Sequence, residues 1–183
     1  MPWRGDRLAP VLVAAAWLAA LAVACGTTAD GPCALIGFAE GVELRWTSAR
    51  GAVDFEPTRP CARDGRLRVV AAFVDAMPAE GGGFAPRINQ EVARDGERLF
   101  VWSETRAPVP FRAIPDGTRA LTVTLGGTAE PARGFVGTSP SGSAIAYLRW
   151  RSAGVTHEVA ATLHPVFTEA DLVALVRATV AAH

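Results

Sequence analysis

The chain has 183 residues, and its eighteen basic side chains, all arginine, balance eighteen acidic ones to a formal net charge of zero. A neutral surface gives no electrostatic case for nucleic acid or for a strongly anionic macromolecule. Half of the residues are hydrophobic, enough for one domain with a core of its own, and the exclusive use of Arg over Lys reflects GC-rich coding before it reflects function.

Arg4 and Arg7 precede an uncharged apolar run, Ala9 to Ala24, broken only by Pro10. Basic-then-apolar order is the pattern of a secretory signal, and the run is shorter than the roughly 20 residues that a membrane span needs. Its end carries two cleavage signals. Ala22-Val23-Ala24 is an A-x-A site for ordinary signal peptidase, and Ala24-Cys25 resembles the lipobox of bacterial lipoproteins, with Ala22 where that family prefers Leu. The resemblance covers residues 1 to 25. It implies a signal peptide over 1–24 and a lipidated Cys25 carrying palmitate-type acyl chains at the mature N-terminus; a short tether over 25–32 then leads to 33–183, whose length suits one globular domain. Two or more acyl chains hold a protein stably on a bilayer. Lipidation of Cys25 would leave Cys33 and Cys61 to pair in an oxidising compartment, whereas soluble secretion would leave Cys25 as an odd thiol.

Gly26 to Pro32 is small and polar, with a flexible-chain reach of roughly 15 Å. Val42, Leu44 and Trp46 alternate with Glu43 and Arg45, which predicts a half-buried strand; a second short strand is expected at Val53 to Phe55. A Cys33–Cys61 bridge would stabilise by roughly 3 kcal/mol and pin the N-terminal segment to the sheet. After the Arg63-Asp64-Gly65 turn, Leu67, Val69, Ala71 and Phe73 alternate as in a strand, although Leu67, Val70, Val74 and Met77 also fit helical spacing; the strand is preferred. Pro78 to Pro86 reads as a surface loop. Its three glycines feed Phe84-Ala85-Pro86 rather than a helix with Lys or Ser/Thr, so it does not fit a phosphate-binding loop.

Arg94-Asp95-Gly96-Glu97 predicts a hairpin between Ile88–Ala93 and Leu99–Trp102. Val109 to Ala113 is an edge-strand candidate because of Pro108 and Pro110. Ala120 to Leu125 and Gly134 to Gly137 follow as strands, then Ala144 to Arg151 and His157 to Leu163 about the Ser152-Ala153-Gly154 turn. Thr168 as N-cap, Asp171 at N3, and Leu172, Leu175, Val176 and Thr179 at helical spacing predict an amphipathic helix from Glu169 to about Ala181. The expected fold class is α+β, mainly antiparallel β-sheet with this C-terminal helix; an all-β sandwich is the alternative. This ending loosely resembles the close of extracytoplasmic domains in anti-sigma factors and envelope lipoproteins, which implies location and fold only.

Signals for chemistry are sparse. His157-Glu158 begins like a zinc-protease motif, but position 161 is Ala, and His157 and His164 have the odd spacing that places them on opposite faces of one strand; no metal or cofactor is expected, and both histidines read as solvated. Ser139 and Ser141 form no Gly-x-Ser-x-Gly elbow and lack a positioned base. Glu40 and Glu43 would point to opposite faces of one strand, and Glu169 and Asp171 read as helix-terminal charges. One pattern is sharper. Leu44-Arg45-Trp46-Thr47-Ser48 and Leu148-Arg149-Trp150-Arg151-Ser152 nearly repeat, and Phe100-Val101-Trp102-Ser103 is a looser third copy. Trp46, Trp102 and Trp150 with Arg45 and Arg149 form a candidate platform for sugar or lipid; the competing reading packs each Trp beneath a helix and turns each Arg to solvent. The expected function is a non-enzymatic, membrane-anchored extracytoplasmic lipoprotein that binds an envelope protein or small ligand. A lipid or glycan carrier with an apolar cavity and an extracytoplasmic hydrolase are the alternatives.

Overall fold

Alternating apolar residues dominate the chain from Leu67 onward, and the alternating runs at 67–77, 88–93, 99–102, 120–123, 144–151 and 157–162 form strands. The computed structural model describes residues 33–79, 81–109 and 114–183; Cys25, the tether and nearly all of the strand expected at Val109 to Ala113 lie outside these residues. The elements in order are β1 (Ala34–Leu35), β2 (Gly37–Phe38), α1 (Val42–Gly51), β3 (Cys61–Ala62), β4 (Leu67–Pro78), β5 (Phe84–Arg94), β6 (Glu97–Thr105), β7 (Arg119–Val123), β8 (Ala132–Thr138), β9 (Ala144–Ser152), β10 (Val155–Thr162) and α2 (Glu169–Ala181). The protein is mostly β-sheet, 47% strand, with a C-terminal helix. Eight strands form an open sheet in the order β2-β4-β5-β6-β10-β9-β8-β7, antiparallel except for the β2–β4 pair. Among the described residues there is one large sheet and a two-stranded β1–β3 ribbon, not the two facing sheets of a sandwich.

Two hairpins turn through pairs of residues at positive φ. Asp95 and Gly96 (φ 52° and 88°) join β5 to β6, and Ala153 and Gly154 (φ 49° and 79°) join β9 to β10, the geometry that matches strand twist in a two-residue connection. The segment at 67–77 is strand throughout. β2 covers β4 only at Arg68 and Val69; from Ala71 to Pro78, β4 pairs with β5 alone among the described residues.

The strand expected at Val42 to Trp46 is instead the first half of α1, and no strand forms at Val53 to Phe55. The apolar residues that alternate also contain a helical set: Val42, Trp46 and Ala49 are the buried positions of α1, while Leu44, which a strand would have buried with them, is 78% exposed. Gly41, in the left-handed region at φ 73°, redirects the chain into the helix, a conformation that costs glycine little. Thr47 and Ser48 turn their hydroxyls back to the carbonyls of Glu43 and Leu44 at 3.0 and 3.1 Å.

Cys33 and Cys61 form a disulfide with Cα atoms 5.4 Å apart and 28 residues of separation. On the chain-entropy model it contributes about 3.5 kcal/mol. It holds β1 beside β3, and the Thr179 hydroxyl accepts the Cys61 N–H at 3.0 Å, which ties the staple to α2. That helix carries the expected capping box: Thr168 N–H donates to Asp171 at 2.8 Å, and Asp171 N–H donates to the Thr168 hydroxyl at 3.4 Å. Residues 172, 175, 176 and 179 are its buried face.

Strand register defines the two faces of the sheet. Ala72, Ile88, Phe100, Trp102, Leu148, Trp150 and Val159 share one face. They form one core cluster with Val42, Trp46 and Ala49 of α1 and Leu172, Leu175 and Val176 of α2, so both helices pack on this side. The other face carries Asp75, Arg87, Asn89, Ser103, Glu158, Tyr147, Arg149 and Arg133.

Candidate functional site

Alternation along β6 places Phe100, Trp102 and Glu104 on the helix-covered face, and so puts a carboxylate in the core. Glu104 is 1% exposed. A buried carboxylate must be hydrogen-bonded to be tolerated, and three donors converge on this one. The N–H of Thr58, from the irregular segment after α1, donates to Oε2 at 2.8 Å. The Trp102 indole N–H donates to Oε1 at 3.2 Å, and His157 Nδ1 lies 2.8 Å from the same oxygen. Register explains the last contact, because His157 on β10 is directly opposite Glu104 on β6. Gln90 on β5 donates to the Thr58 carbonyl at 2.8 Å and holds the segment from its other side.

The His157 ring lies flat on Trp150, with centroids 5.1 Å apart and planes 5° apart. Trp102 meets Trp150 edge-on at 5.2 Å. These groups open onto a small cleft of about 160 Å³, which Thr58, Ser152, Thr179 and His183 also line. An ionised carboxylate can only accept, and opposite one His157 donates from Nδ1 and presents Nε2 as its second nitrogen. The Trp150 N–H is buried without a partner. A carboxylate-oriented imidazole beside hydroxyls is a general-base arrangement in kind; the same contacts also fasten the segment around Thr58 to the sheet.

The opposite face carries a second polar network. Arg87 on β5 makes two hydrogen bonds to Asp75 on β4, at 3.0 and 2.6 Å, and Asn89 donates to the same carboxylate at 3.0 Å. The Arg87 hydrogen bond is the main reason that the Asp75 carboxyl is held below the usual carboxylate range; Asn89 acts in the same direction, and partial burial opposes both. Ser103 on β6 donates to Asn89 at 2.7 Å, and Tyr147 on β9 donates to Glu158 on β10.

The residues singled out from sequence therefore divide between places. Trp46, Trp102 and Trp150 are 7, 0 and 4% exposed and belong to the core, Trp46 against Phe38 at 5.9 Å and the other two around His157. Arg45 is exposed on α1, and Arg149 projects from the opposite sheet face. The near-repeat folds as a helix in its first copy and a strand in its second, so it builds no common platform. His157 is buried rather than solvated, because its strand position faces the tryptophans; His164 lies outside the strand in an isolated bridge with Phe167, partly exposed and 3.6 Å from Glu97. Ser139 and Ser141 share a 2.8 Å hydrogen bond in their turn. Sequence reading passed over Glu104, although Phe100-x-Trp102-x-Glu104 in a strand already placed a carboxylate among rings.

Among the described residues, no group of three or more His, Cys, Asp or Glu side chains could hold a metal ion, and no helix is long and apolar enough to cross a membrane. One sheet with two helices on one face and a charged network on the other defines the architecture. No family model, curated protein or solved structure matches the chain.

Proposed function

We propose that this protein is an exported lipoprotein, anchored through lipid on Cys25, whose α+β domain works as a binding module at the cell envelope. The disulfide carries this reading. It consumes Cys33 and Cys61, so that Cys25, at the end of the signal-like segment, is the one cysteine left over in the sequence. Partner contact has two surfaces to use. The edge of β4 beyond β2, unpaired among the described residues, adjoins a groove of about 450 Å³ with Leu44 and Phe73 in its wall, and both of these side chains are exposed; the polar face of the sheet is the other. Cys25→Ser, expressed in a lipoprotein-processing bacterium, moves the protein from the membrane to the soluble exported fraction and abolishes radiolabelled palmitate incorporation. Continued membrane association of the unlabelled variant refutes the anchor.

A second reading, extracytoplasmic hydrolase, draws on the Glu104–His157 pair and Ser152 in the same cleft. Its test is covalent labelling by a fluorophosphonate probe. Labelling that Ser152→Ala abolishes supports hydrolysis, and an unlabelled native protein leaves the dyad as a structural fastening.

A further inference from the structure

The face of the sheet turned away from both helices holds an arginine pair that the fold does not neutralise. Arg133 on β8 is directly opposite Arg149 on β9. Like charges in that position repel across neighbouring strands, and the expected relief is Glu158, which is directly opposite Arg149 on its other side. Glu158 is engaged elsewhere: Tyr147 donates to its Oε1, and Arg87, already bound to Asp75, lies 3.8 Å from its Oε2. Among the described residues neither Arg133 nor Arg149 has an acidic partner, and one terminal guanidinium nitrogen of Arg149 is buried with no hydrogen-bond partner. Such an atom has room for an acceptor from outside the described residues, water or the oxygen of a ligand.

The surroundings say what kind of acceptor. One two-residue step along the same strands, roughly 7 Å, Phe135 is directly opposite Tyr147, and their rings stack at 5.6 Å. Beyond them runs a groove of about 370 Å³, walled by Val101, Phe135, Ile145, Tyr147 and Ala160, within the usual range for a small-molecule site. Glu91 in its wall is offset by Arg98 at 3.2 Å. A cationic pair at the end of an apolar, aromatic groove matches a molecule with one anionic head and one apolar chain. Neutral lipid would leave the arginines unanswered, and a polyanion would meet Glu91, Glu158 and Asp75.

We propose that Arg133 and Arg149 bind the carboxylate or phosphate head of a free, single-chain anionic amphiphile, whose chain lies across Phe135 and Tyr147. Guanidinium groups match these oxyanions in geometry as well as charge. The site rests on the binding-module reading above, and it requires no lipid on Cys25.

Photo-crosslinking tests it on the full chain in phosphatidylcholine nanodiscs, with a diazirine-bearing dodecanoate as probe and peptide mapping as readout. Cross-links fall on β8 and β9, and dodecanoate and dodecyl phosphate compete at least about tenfold better than dodecanol or inorganic phosphate. Arg149→Gln and Arg133→Gln each reduce labelling about tenfold, whereas Arg151→Gln, an exposed arginine on the same face, leaves it unchanged. Arg133 is exposed, so its variant tests the site even where Arg149→Gln fails to fold. Equal competition by dodecanol reduces the groove to an apolar surface; equal competition by inorganic phosphate reduces the pair to a small-anion site. Competition by phosphatidylglycerol vesicles alone makes it a membrane contact. Labels that map elsewhere, or that survive both substitutions, overturn the proposal as well. Failure here with Cys25-dependent attachment intact removes the ligand and keeps the anchor; ligand binding by a protein that Cys25→Ser does not release does the reverse.

Discussion

Removing the Glu104 carboxylate is the sharpest perturbation of this fold, because so many neighbours were arranged around it. In Glu104→Leu the Thr58 N–H, the Trp102 N–H and His157 Nδ1 all lose the acceptor they meet at 2.8 to 3.2 Å. Each hydrogen bond to a charged acceptor contributes about 1.5–3 kcal/mol, and relief from burying the carboxylate takes back several kcal/mol. Breaking a buried polar pair from one side typically costs about 3–5 kcal/mol, the loss expected here. With a urea m-value of about 2 kcal/mol/M, the midpoint falls by about 2 M. Glu104→Leu combined with His157→Phe then costs less than the sum of the two single changes, because no imidazole is left without its partner. The assay is equilibrium urea unfolding of the four proteins of this double-mutant cycle. A loss below about 1 kcal/mol for Glu104→Leu, or strictly additive single changes, would refute the claim that this cluster fastens the Thr58 segment to the sheet.

Three further expectations follow from local geometry. A Cβ on Gly134 would lie 1.7 Å from the backbone oxygen of Tyr147, so Gly134→Ala must push β8 from β9; it costs upwards of about 3 kcal/mol in thermal unfolding, and an unchanged Tm contradicts this pairing. Ala153 holds a positive φ that glycine adopts freely, so Ala153→Gly raises stability by about 1 kcal/mol in the same measurement, and a lower Tm counts against the strained turn. The Asp75 carboxyl is held below its ordinary pKa, first by its hydrogen bond with Arg87. Its contribution to stability is therefore complete above the unfolded carboxylate pKa of about 4 and is lost as pH falls through the lower folded value. Asp75→Asn removes that part of the acid limb, so a scan of Tm from about pH 2 to 6 shows a shallower rise than in the parent chain; parallel curves would show that Asp75 has no such linkage.

The sequence by itself determined whatever a few consecutive residues can enforce. Asp95-Gly96 specifies its hairpin because the turn requires positive φ, Gly154 does so for the second despite the strain at Ala153, and Thr168 with Asp171 specifies the start of α2 because those groups satisfy backbone atoms three residues away. The Cys33–Cys61 pairing was likewise within reach by elimination, once Cys25 was set apart as the lipidation candidate. Tertiary structure decided the rest. Val42, Leu44 and Trp46 satisfy a strand and, with Ala49, a helix; packing of Trp46 against Phe38 beside a two-residue β2 selected the helix. The same effect separated the two tryptophan pentapeptides, whose local preferences are too weak to overrule what each must cover. Both polar clusters join distant segments: Glu104 meets His157 across 53 residues, and Arg133 meets Arg149 only because β8 and β9 align in one register. Local composition fixes which way a side chain alternates along its own strand, but only the sheet order and register fix which side chain stands opposite it, and these two sites are made of such opposites.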